Sequence, residues 1–274
     1  MKLMKHSNKI ILMALIAVVV ASCKVEPIQQ LPERNFELVW SDEFEGDSAT
    51  LPNAEKWTYD LGTGQNGWGN NELQSYTNNP RNVSLDGKGN LVITAIKNSN
   101  GSYTSARVKT QGLFTHQFGK IEARIKTPTG HGMWPAFWML GNNITTVSWP
   151  QCGEIDIMEQ KGKFSNITYG SIHGPGYAGG QAITSTFTLA NGRFDTDFNV
   201  YAVEWNESKI DFFVNNYLYK RIKPAEVKGE WVFNQPFFII MNIAVGGNFV
   251  GPPNEFTPFP GTMTIDYVRA YKEK

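Results

Sequence analysis

The fold is decided by Trp149-Pro-Gln-Cys-Gly-Glu-Ile-Asp-Ile-Met-Glu-Gln160, a stretch whose side chains follow the period of a β-strand. The acids Glu154 and Asp156 alternate with the apolar residues Ile155 and Ile157. Successive side chains of a strand point to opposite faces of a sheet, so the two acids share one face and the isoleucines pack against the other. The stretch therefore predicts a strand that is buried on one side only.

A third acid, Glu159, falls on the buried face by this parity. One extra residue near Met158, a β-bulge, would restore the alternation and bring Glu154, Asp156 and Glu159 onto one surface. When a strand carries only two acidic residues at this spacing, a solvent-exposed outer face is the ordinary explanation. The clean alternation and the flanking aromatic residues favour a functional row of three acids instead.

Such a row suits glycoside hydrolysis with retention of configuration. That reaction uses two carboxyl groups about 5–5.5 Å apart, one as nucleophile and the other first as acid and then as base. A neighbouring carboxylate raises the pKa of the acid and orients the nucleophile, a task that fits Asp156. Binding of Ca²⁺ or Mg²⁺ is the rival interpretation, but a strand face is a poor cage and the oxygen-donor spacing of a calcium loop is missing.

Short β segments separated by turns fill the rest of the chain from Phe36 onward. Turn chemistry separates them at 86–89, at 98–102 and at Asn215-Asn216. No amphipathic helical stretch stands out over windows of about 11 residues or more. The pattern predicts one all-β domain over 36–274, an antiparallel β-sandwich. The clearest strand segments are Asn90–Ile96, Gly119–Lys126, Tyr201–Trp205, Lys209–Val214 and Met263–Tyr271.

Composition narrows the class of partner. The 274 residues include 25 Lys+Arg and 25 Asp+Glu, so the formal net charge is zero. We therefore expect neither a nucleic-acid surface nor a polybasic membrane patch. The zero net charge favours an uncharged partner. The 8 Trp, 10 Tyr and 17 Phe fit a β-rich chain, and there is more Trp than a core alone needs. We expect the protein to be a monomer.

The N-terminus predicts export. Three lysines precede an apolar run of 12 residues, Ile10–Ala21, which is too short for a membrane helix of about 20 residues. Val-Ala-Ser before Cys23 resembles the bacterial lipobox, in which cleavage before the Cys accompanies attachment of diacylglycerol to its thiol. We expect a signal peptide over 1–22, a lipidated Cys23 with a tether over 23–35, and an exported lipoprotein at the outer membrane or cell surface. An ordinary cleaved signal is the alternative.

The segment Glu154–Glu159 resembles the catalytic motif of glycoside hydrolase family 16, in the bulged form of bacterial laminarinases, the endo-β-1,3-glucanases. The resemblance implies a jelly-roll sandwich of two curved antiparallel sheets with the active site in a concave cleft. It implies Glu154 as nucleophile, Glu159 as acid/base, Asp156 as assisting carboxylate, and no cofactor in catalysis. The likeness extends through Trp40–Phe44, Trp68–Tyr76, Ala106–Gly112, Phe118–Arg124, Gly132–Leu140, Tyr169–His173, Asn242–Asn248 and Asp266–Arg269.

Sugar binding requires flat apolar faces for the C–H side of pyranose rings and polar groups for the hydroxyls. Trp134 and Trp138 have equal parity and share a strand face, with core packing as the alternative for any single Trp. Glu72 and Arg81 are candidates for hydrogen bonds to sugar, with a structural ion pair or a solvated surface as equal alternatives. Phe249 stands where Trp often follows Val-Gly-Gly-Asn, which alters one stacking contact. The family match adds Trp149, Trp68, His173 and Asn248.

A structural metal is a further implication of the resemblance. Many family members carry Ca²⁺ on the convex side, far from the cleft, held partly by backbone carbonyls. The matching positions are Glu43, Gly89 and Asp266. The alternative is that Asp266 merely faces solvent on the last strand.

Three classes of function are compatible with these residues. The leading one is retaining endo-hydrolysis of β-1,3-glucosidic bonds in laminarin-type glucans, with mixed β-1,3/1,4-glucans left open. A family 16 galactan hydrolase of the agarase or carrageenase type shares the acidic row, but the motifs show few of the Lys and Arg that a sulfated substrate favours. A non-catalytic, surface-anchored glucan-binding lipoprotein is the third, and it has no need of both Glu154 and Glu159.

Overall fold

The computed structural model describes residues 29, 31 and 34–274. The expected signal peptide and the lipidation site Cys23 lie outside the described residues, so both stay predictions. Residues 34–274 belong to one compact unit. Within the described part of the chain, none of the helices has the length and apolar character needed to cross a membrane.

The described residues form 17 strands. They are β1 Phe36–Asp42, β2 Thr58–Asp60, β3 Gln74–Tyr76, β4 Val83–Leu85, β5 Leu91–Lys97, β6 Tyr103–Ser105, β7 Arg107–Lys109, β8 Gly119–Lys126, β9 Met133–Gly141, β10 Glu154–Glu159, β11 Ile167–His173, β12 Ile183–Thr188, β13 Asn199–Asn206, β14 Lys209–Val214, β15 Tyr217–Ile222, β16 Phe237–Val245 and β17 Gly261–Glu273. The helical pieces are single turns at Gly67–Asn71, Asn142–Thr145, Gly179–Gln181 and Pro224–Glu226.

The strands form two sheets, as the alternation predicts. The ten-stranded sheet runs β15-β14-β13-β8-β17-β5-β6-β3, with β1 paired to β17 and β4 to β5. The seven-stranded sheet runs β12-β11-β10-β9-β16-β7-β2. All these pairs are antiparallel except β3 with β6. The jelly-roll β-sandwich expected from the sequence is therefore confirmed.

The core lies between the two sheets. Alternate residues of β5, among them Leu91 and Ile93, are fully buried, and so are Phe137 and Met139 of β9 from the opposite sheet. Full burial of one such side chain contributes roughly 1.5–3 kcal/mol. The other face of β9 carries half-buried side chains, so the seven-stranded sheet presents an open face opposite its core face.

All five strand segments highlighted in the sequence correspond to strands of the structure. Gly119–Lys126 and Lys209–Val214 coincide with β8 and β14, and Tyr201–Trp205 lies inside β13. The turn at Asn215-Asn216 has φ values of 49° and 64°, a left-handed conformation that Asn tolerates better than most residues. Local alternation and turn chemistry were sufficient to place these elements.

Candidate active site

The predicted bulge in β10 is present. Asp156 pairs with Trp138 of β9, whereas Met158 pairs with Phe137, so Ile157 is the extra residue. Its effect is to reverse the parity of the residues that follow. Glu154, Asp156 and Glu159 consequently reach the open face, while Ile155, Ile157 and Met158 are buried in the core.

A glycine on β11 lies opposite the bulge and allows side chains of the other sheet to approach closely. Across the β10–β11 pair, the register skips between Asp156 and Glu159, opposite Gly170. A Cβ on Gly170 would lie 2.2 Å from the hydroxyl oxygen of Tyr219, which reaches the back of this sheet from β15. No side chain fits there, so this position requires glycine for close approach rather than for backbone freedom.

Glu154 is held at the start of β10 by an indole from the preceding loop. The Nε1–H of Trp149 donates to Oε2 of Glu154 over 2.9 Å. The Trp149 ring itself is 43% exposed, so one edge binds the carboxyl group while a face stays open to a ligand. His173, directly across the strand pair, places its Nε2 3.7 Å from Oε1 of Glu154.

His173 also covers the middle acid. Its Nε2 lies 3.0 Å from Oδ2 of Asp156, which is only 3% exposed. The backbone N–H of Gly179 donates to Nδ1 of His173 over 3.0 Å. Because Nδ1 accepts that bond, the imidazole proton resides on Nε2, where it faces the two carboxyl groups.

Glu159 is bound from the neighbouring strand. The Nε1–H of Trp134 on β9 donates to Oε1 of Glu159 over 2.8 Å. The ring of Trp134 lies 5.1 Å from that of Phe249, centroid to centroid. The hydroxyl of Thr168 donates to the backbone oxygen of Glu159 over 3.2 Å. Glu159 is thus fixed at both its carboxyl group and its main chain.

The row holds protons near neutral pH. Burial, followed by the charge of Asp156, raises the pKa of Glu154 to about 8. Burial also raises the pKa of Glu159 to about 7, against the hydrogen bond from Trp134, which lowers it. Burial and the charge of Glu159 raise the pKa of Asp156 well above its usual range. Carboxyl groups that share protons in this way can donate a proton and carry a negative charge in the same reaction.

A second aromatic position extends the open face along β9. Trp138 shares this face with Trp134, as parity predicts, and its Nε1–H donates to Oδ1 of Asn242 over 2.9 Å. The guanidinium carbon of the buried Arg107 lies 5.5 Å from the Trp138 ring centroid and 4.5 Å from that of Trp68. One cation therefore supports two of the tryptophans that the sequence marked for sugar binding.

Glu72 supports this cluster from within the protein. Its carboxylate accepts from the Gln74 amide over 2.7 Å and from the Tyr76 hydroxyl over 3.2 Å, and it lies 3.7 Å from the guanidinium of Arg107. These contacts agree with the alternative interpretation of Glu72, in which it forms a structural ion pair. A direct bond from Glu72 to sugar stays a prediction.

Two sugar-binding candidates, Arg81 and Asn248, have other contacts in the structure. Exposed Arg81 lines a hollow with Thr94 and Lys97 of the ten-stranded sheet, so the structure does not bring it to the carboxylates. Asn248 accepts a hydrogen bond at Oδ1 from the Asn71 amide over 2.9 Å. This bond ties the loop after β16 to the turn that carries Trp68.

The described residues include one set of three side chains close enough to bind a metal ion together. The ligand atoms of Glu154, Asp156 and His173 lie within 4.8 Å of one another. The raised pKa values of both carboxyl groups mean that protons compete with a cation there. Proton transfer suits this set better than metal binding.

At the expected calcium position, the backbone fits better than the side chains do. The carbonyl oxygen of Glu43 lies 3.7 Å from the place that a Cβ on Gly89 would take, so the two main-chain segments adjoin. The Asp266 carboxylate, however, is paired with Arg124, and that of Glu43 with Arg269. A cation there would have to draw Asp266 from its ion pair.

Sequence reasoning did not select several residues that the structure brings to the site. Arg107 alternates with the buried Val108, so its parity could have placed it on the open face. Tyr169 carries no such signal, because only the strand pairing brings it to Glu159. Lys161 follows Glu159 by two residues, but its position over Phe249 depends on a distant loop.

Comparison with known proteins gives consistent matches. The family model for glycosyl hydrolases family 16 matches residues 70–269. The beta-glucanase of Rhodothermus marinus is 41% identical over 87% of this chain and 86% of its own. The clotting factor G alpha subunit of Tachypleus tridentatus is 40% identical over 88% of this chain, which spans 35% of that protein. The endo-beta-1,3-glucanase structure from Pyrococcus furiosus is 44% identical, with a TM-score of 0.82 over 88% of this chain and 96% of its own.

Proposed function

The chain belongs to the glycosyl hydrolases of family 16, and from this premise we propose that it hydrolyses internal β-1,3-glucosidic bonds of laminarin-type glucans with retention of configuration. The observation that carries the proposal is the bulged row of Glu154, Asp156 and Glu159. Glu154 and Glu159 each accept a hydrogen bond from a tryptophan. Relatives named as glucanases that act on β-1,3-glucans support this substrate class.

The first step forms a covalent intermediate. The carboxylate of Glu154 attacks the anomeric carbon, the bond from that carbon to the leaving oxygen breaks, and Glu159 gives its proton to that oxygen. In the second step Glu159 takes a proton from water, whose oxygen attacks the same carbon and releases Glu154. Two displacements restore the original configuration, so the product is first formed as the β-anomer.

Substrate binding sets the direction of proton transfer. In the free protein the pKa of Glu154, about 8, stands above that of Glu159, about 7, the reverse of what the two roles require. A glycosidic oxygen that accepts a hydrogen bond from Glu159 raises the pKa of that acid. Positive charge that develops on the sugar favours the ionised form of Glu154. Asp156 assists by sharing the remaining proton, and the Nε2–H of His173 faces both carboxyl groups.

The two alternative functions lack this support. A glucan-binding protein without activity would not require the protonated row, whose burial raises the pKa of all three acids. A galactan hydrolase would use the same row with a different cleft, so substrate comparison separates it from the leading proposal. Release of reducing sugar should be fastest with laminarin when laminarin, lichenan, curdlan, agarose and carrageenan are assayed side by side.

The mechanism is tested by the anomer and by azide. Proton NMR in the first minutes of laminarin digestion should show the β-anomer, and an α-anomer at that stage would mean inversion. With Glu159→Ala and an aryl glucoside, azide should attack the intermediate and give a β-glycosyl azide. With Glu154→Ala it should give the α-azide. The same azide anomer from both variants would contradict the assigned roles.

The remaining properties are proposed on narrower grounds. The lipobox-like residues before Cys23 support a lipid anchor and an exported, membrane-attached enzyme. The full-length protein should then partition into membranes and become soluble on Cys23→Ala, and recovery of the unmutated protein without detergent would contradict this. The adjoining main chain at Glu43 and Gly89 supports structural Ca²⁺ with Asp266 as a further ligand. Catalysis requires no cofactor, because the carboxyl groups of the row supply both the nucleophile and the proton. We propose that the enzyme acts as a monomer.

A further inference from the structure

Lys161 follows the acidic row by two residues and lies outside the strand that carries it. Its ammonium nitrogen lies 4.2 Å from the ring centroid of Phe249 and 5.5 Å from that of Tyr169. Lys161 forms none of the contact ion pairs found among the described residues. Two aromatic rings, rather than a carboxylate partner, therefore determine where this charge lies.

Both rings belong to the surroundings of Glu159. Tyr169 is the residue opposite Glu159 in the β10–β11 pair. Phe249 packs edge-on against Tyr169, with 5.3 Å between ring centroids, and lies 5.1 Å from Trp134. Trp134 in turn donates to the carboxyl oxygen of Glu159. The aromatic groups form a continuous wall beside Glu159, and Lys161 lies over that wall.

The charges that face Glu159 are mostly of its own sign. Glu154 and Asp156 approach from the same strand, and both repel an ionised Glu159. From β11 come His173, which is positive only when protonated, and Tyr169, whose own pKa is raised by burial and by the charge of Glu159. From β9 the neighbour is the uncharged Trp134. Lys161 is the permanent positive charge in this group.

We propose that Lys161 is a positioning residue for the reaction, held over Phe249 and Tyr169 so that its charge limits how tightly Glu159 retains its proton. The proposal rests on the proposed function, in which Glu159 is the acid/base. An acid that retains its proton too tightly transfers it slowly to the leaving oxygen, and efficient transfer requires a pKa near the working pH. Lys161 opposes the two neighbouring acids and lowers the pKa of Glu159, in the same direction as the hydrogen bond from Trp134.

The main test removes the charge and keeps the side-chain length. In Lys161→Met the alkaline limb of kcat on laminarin, which reports the enzyme–substrate complex in which Glu159 is the acid, should move up by about half a pH unit, the effect of one charge through partly solvated surroundings. Lys161→Arg should restore the wild-type limb, because a guanidinium keeps the charge and stacks on aromatic rings. Phe249→Leu should move the limb in the same direction as Lys161→Met, since it removes the ring that holds the ammonium.

Lys163→Met is the matched control. Lys163 lies two residues further along, and its ammonium is 4.9 Å from the ring centroid of the exposed Phe164. It is a lysine over an aromatic ring as well, but it is not among the charges that act on Glu159. Its removal should leave the alkaline limb unchanged, so a general effect of net charge would be recognised by equal shifts in the two variants.

A direct titration separates this proposal from the proposed function. In protein labelled with carbon-13 in the glutamate carboxyl groups, the signal that Glu159→Gln removes belongs to Glu159. Its titration midpoint should rise in Lys161→Met, return in Lys161→Arg and stay in place in Lys163→Met. An unchanged midpoint in Lys161→Met would overturn the role of Lys161. Failure of the wild-type protein to cleave any β-glucan would overturn the proposed function, and the titration would still decide about Lys161.

Discussion

Replacing Glu159 by Gln should make the protein more stable at neutral and alkaline pH while it abolishes hydrolysis. The amide has nearly the same shape as the carboxyl group and retains an oxygen that can accept the 2.8 Å hydrogen bond from Trp134. It removes an ionisable group that the folded protein holds in an unfavourable, buried place. The substitution therefore measures how much the buried, ionisable carboxyl group of Glu159 lowers the free energy of unfolding.

The magnitude follows from the proton affinity of Glu159. Its pKa rises from 4.5 to about 7 on folding, which corresponds to about 3 kcal/mol at about 1.4 kcal/mol per unit. The folded state binds the proton more tightly than the unfolded state, so wild-type stability falls as the pH rises through this interval. Below about pH 4 the group is protonated in both states and its contribution disappears. The variant should gain the full amount only above about pH 7.

Urea unfolding at several pH values between about 4 and 8 measures this difference. The free energy of unfolding of the variant, minus that of the wild type, should grow with pH. Glu226→Gln serves as the control of opposite sign. The backbone N–H of Lys223 lowers the pKa of Glu226, so its replacement should destabilise the protein at neutral pH and have no effect at low pH. A difference for Glu159→Gln that does not vary with pH, or a loss of stability at pH 8, would refute the reasoning.

Three further predictions concern single contacts. In wild-type protein the N–H of Trp149 binds the nucleophile Glu154 and lowers its pKa. Trp149→Phe removes this N–H, so kcat/KM should fall about tenfold, the worth of one hydrogen bond to a charged group. A variant with wild-type kinetics would show that the bond is irrelevant. Gly170→Ala places a methyl group 2.2 Å from the Tyr219 hydroxyl, and calorimetry should show a melting temperature lower by about 5 °C, whereas an unchanged value would mean that the sheets adjust freely. Chelation should lower the melting temperature but leave activity at moderate temperature intact, because bound metal stabilises only the folded state. In Asp266→Ala the melting temperature should no longer respond to the chelator. Immediate loss of activity without loss of stability would place the metal in the cleft.

The sequence alone was sufficient for the fold class and for the acidic row. Alternation of apolar and polar residues is a local property of the chain, and it placed β8 and β14 at their observed bounds. The parity of Glu159 even required a bulge near Met158, since an unbroken strand would have buried that acid. The register confirms the bulge at Ile157.

What surrounds the row depended on tertiary structure. Arg107 reaches Trp138 because β7 and β9 both flank β16. The order of strands in a sheet cannot be predicted from local sequence patterns. Arg81 illustrates the reverse case, since the ten-stranded sheet carries it away from the row. Lys161 meets Phe249 only when a loop some ninety residues further along folds back onto β10. Burial and charge proximity, which set the pKa values of the row, arise from these long-range contacts and not from the residues themselves.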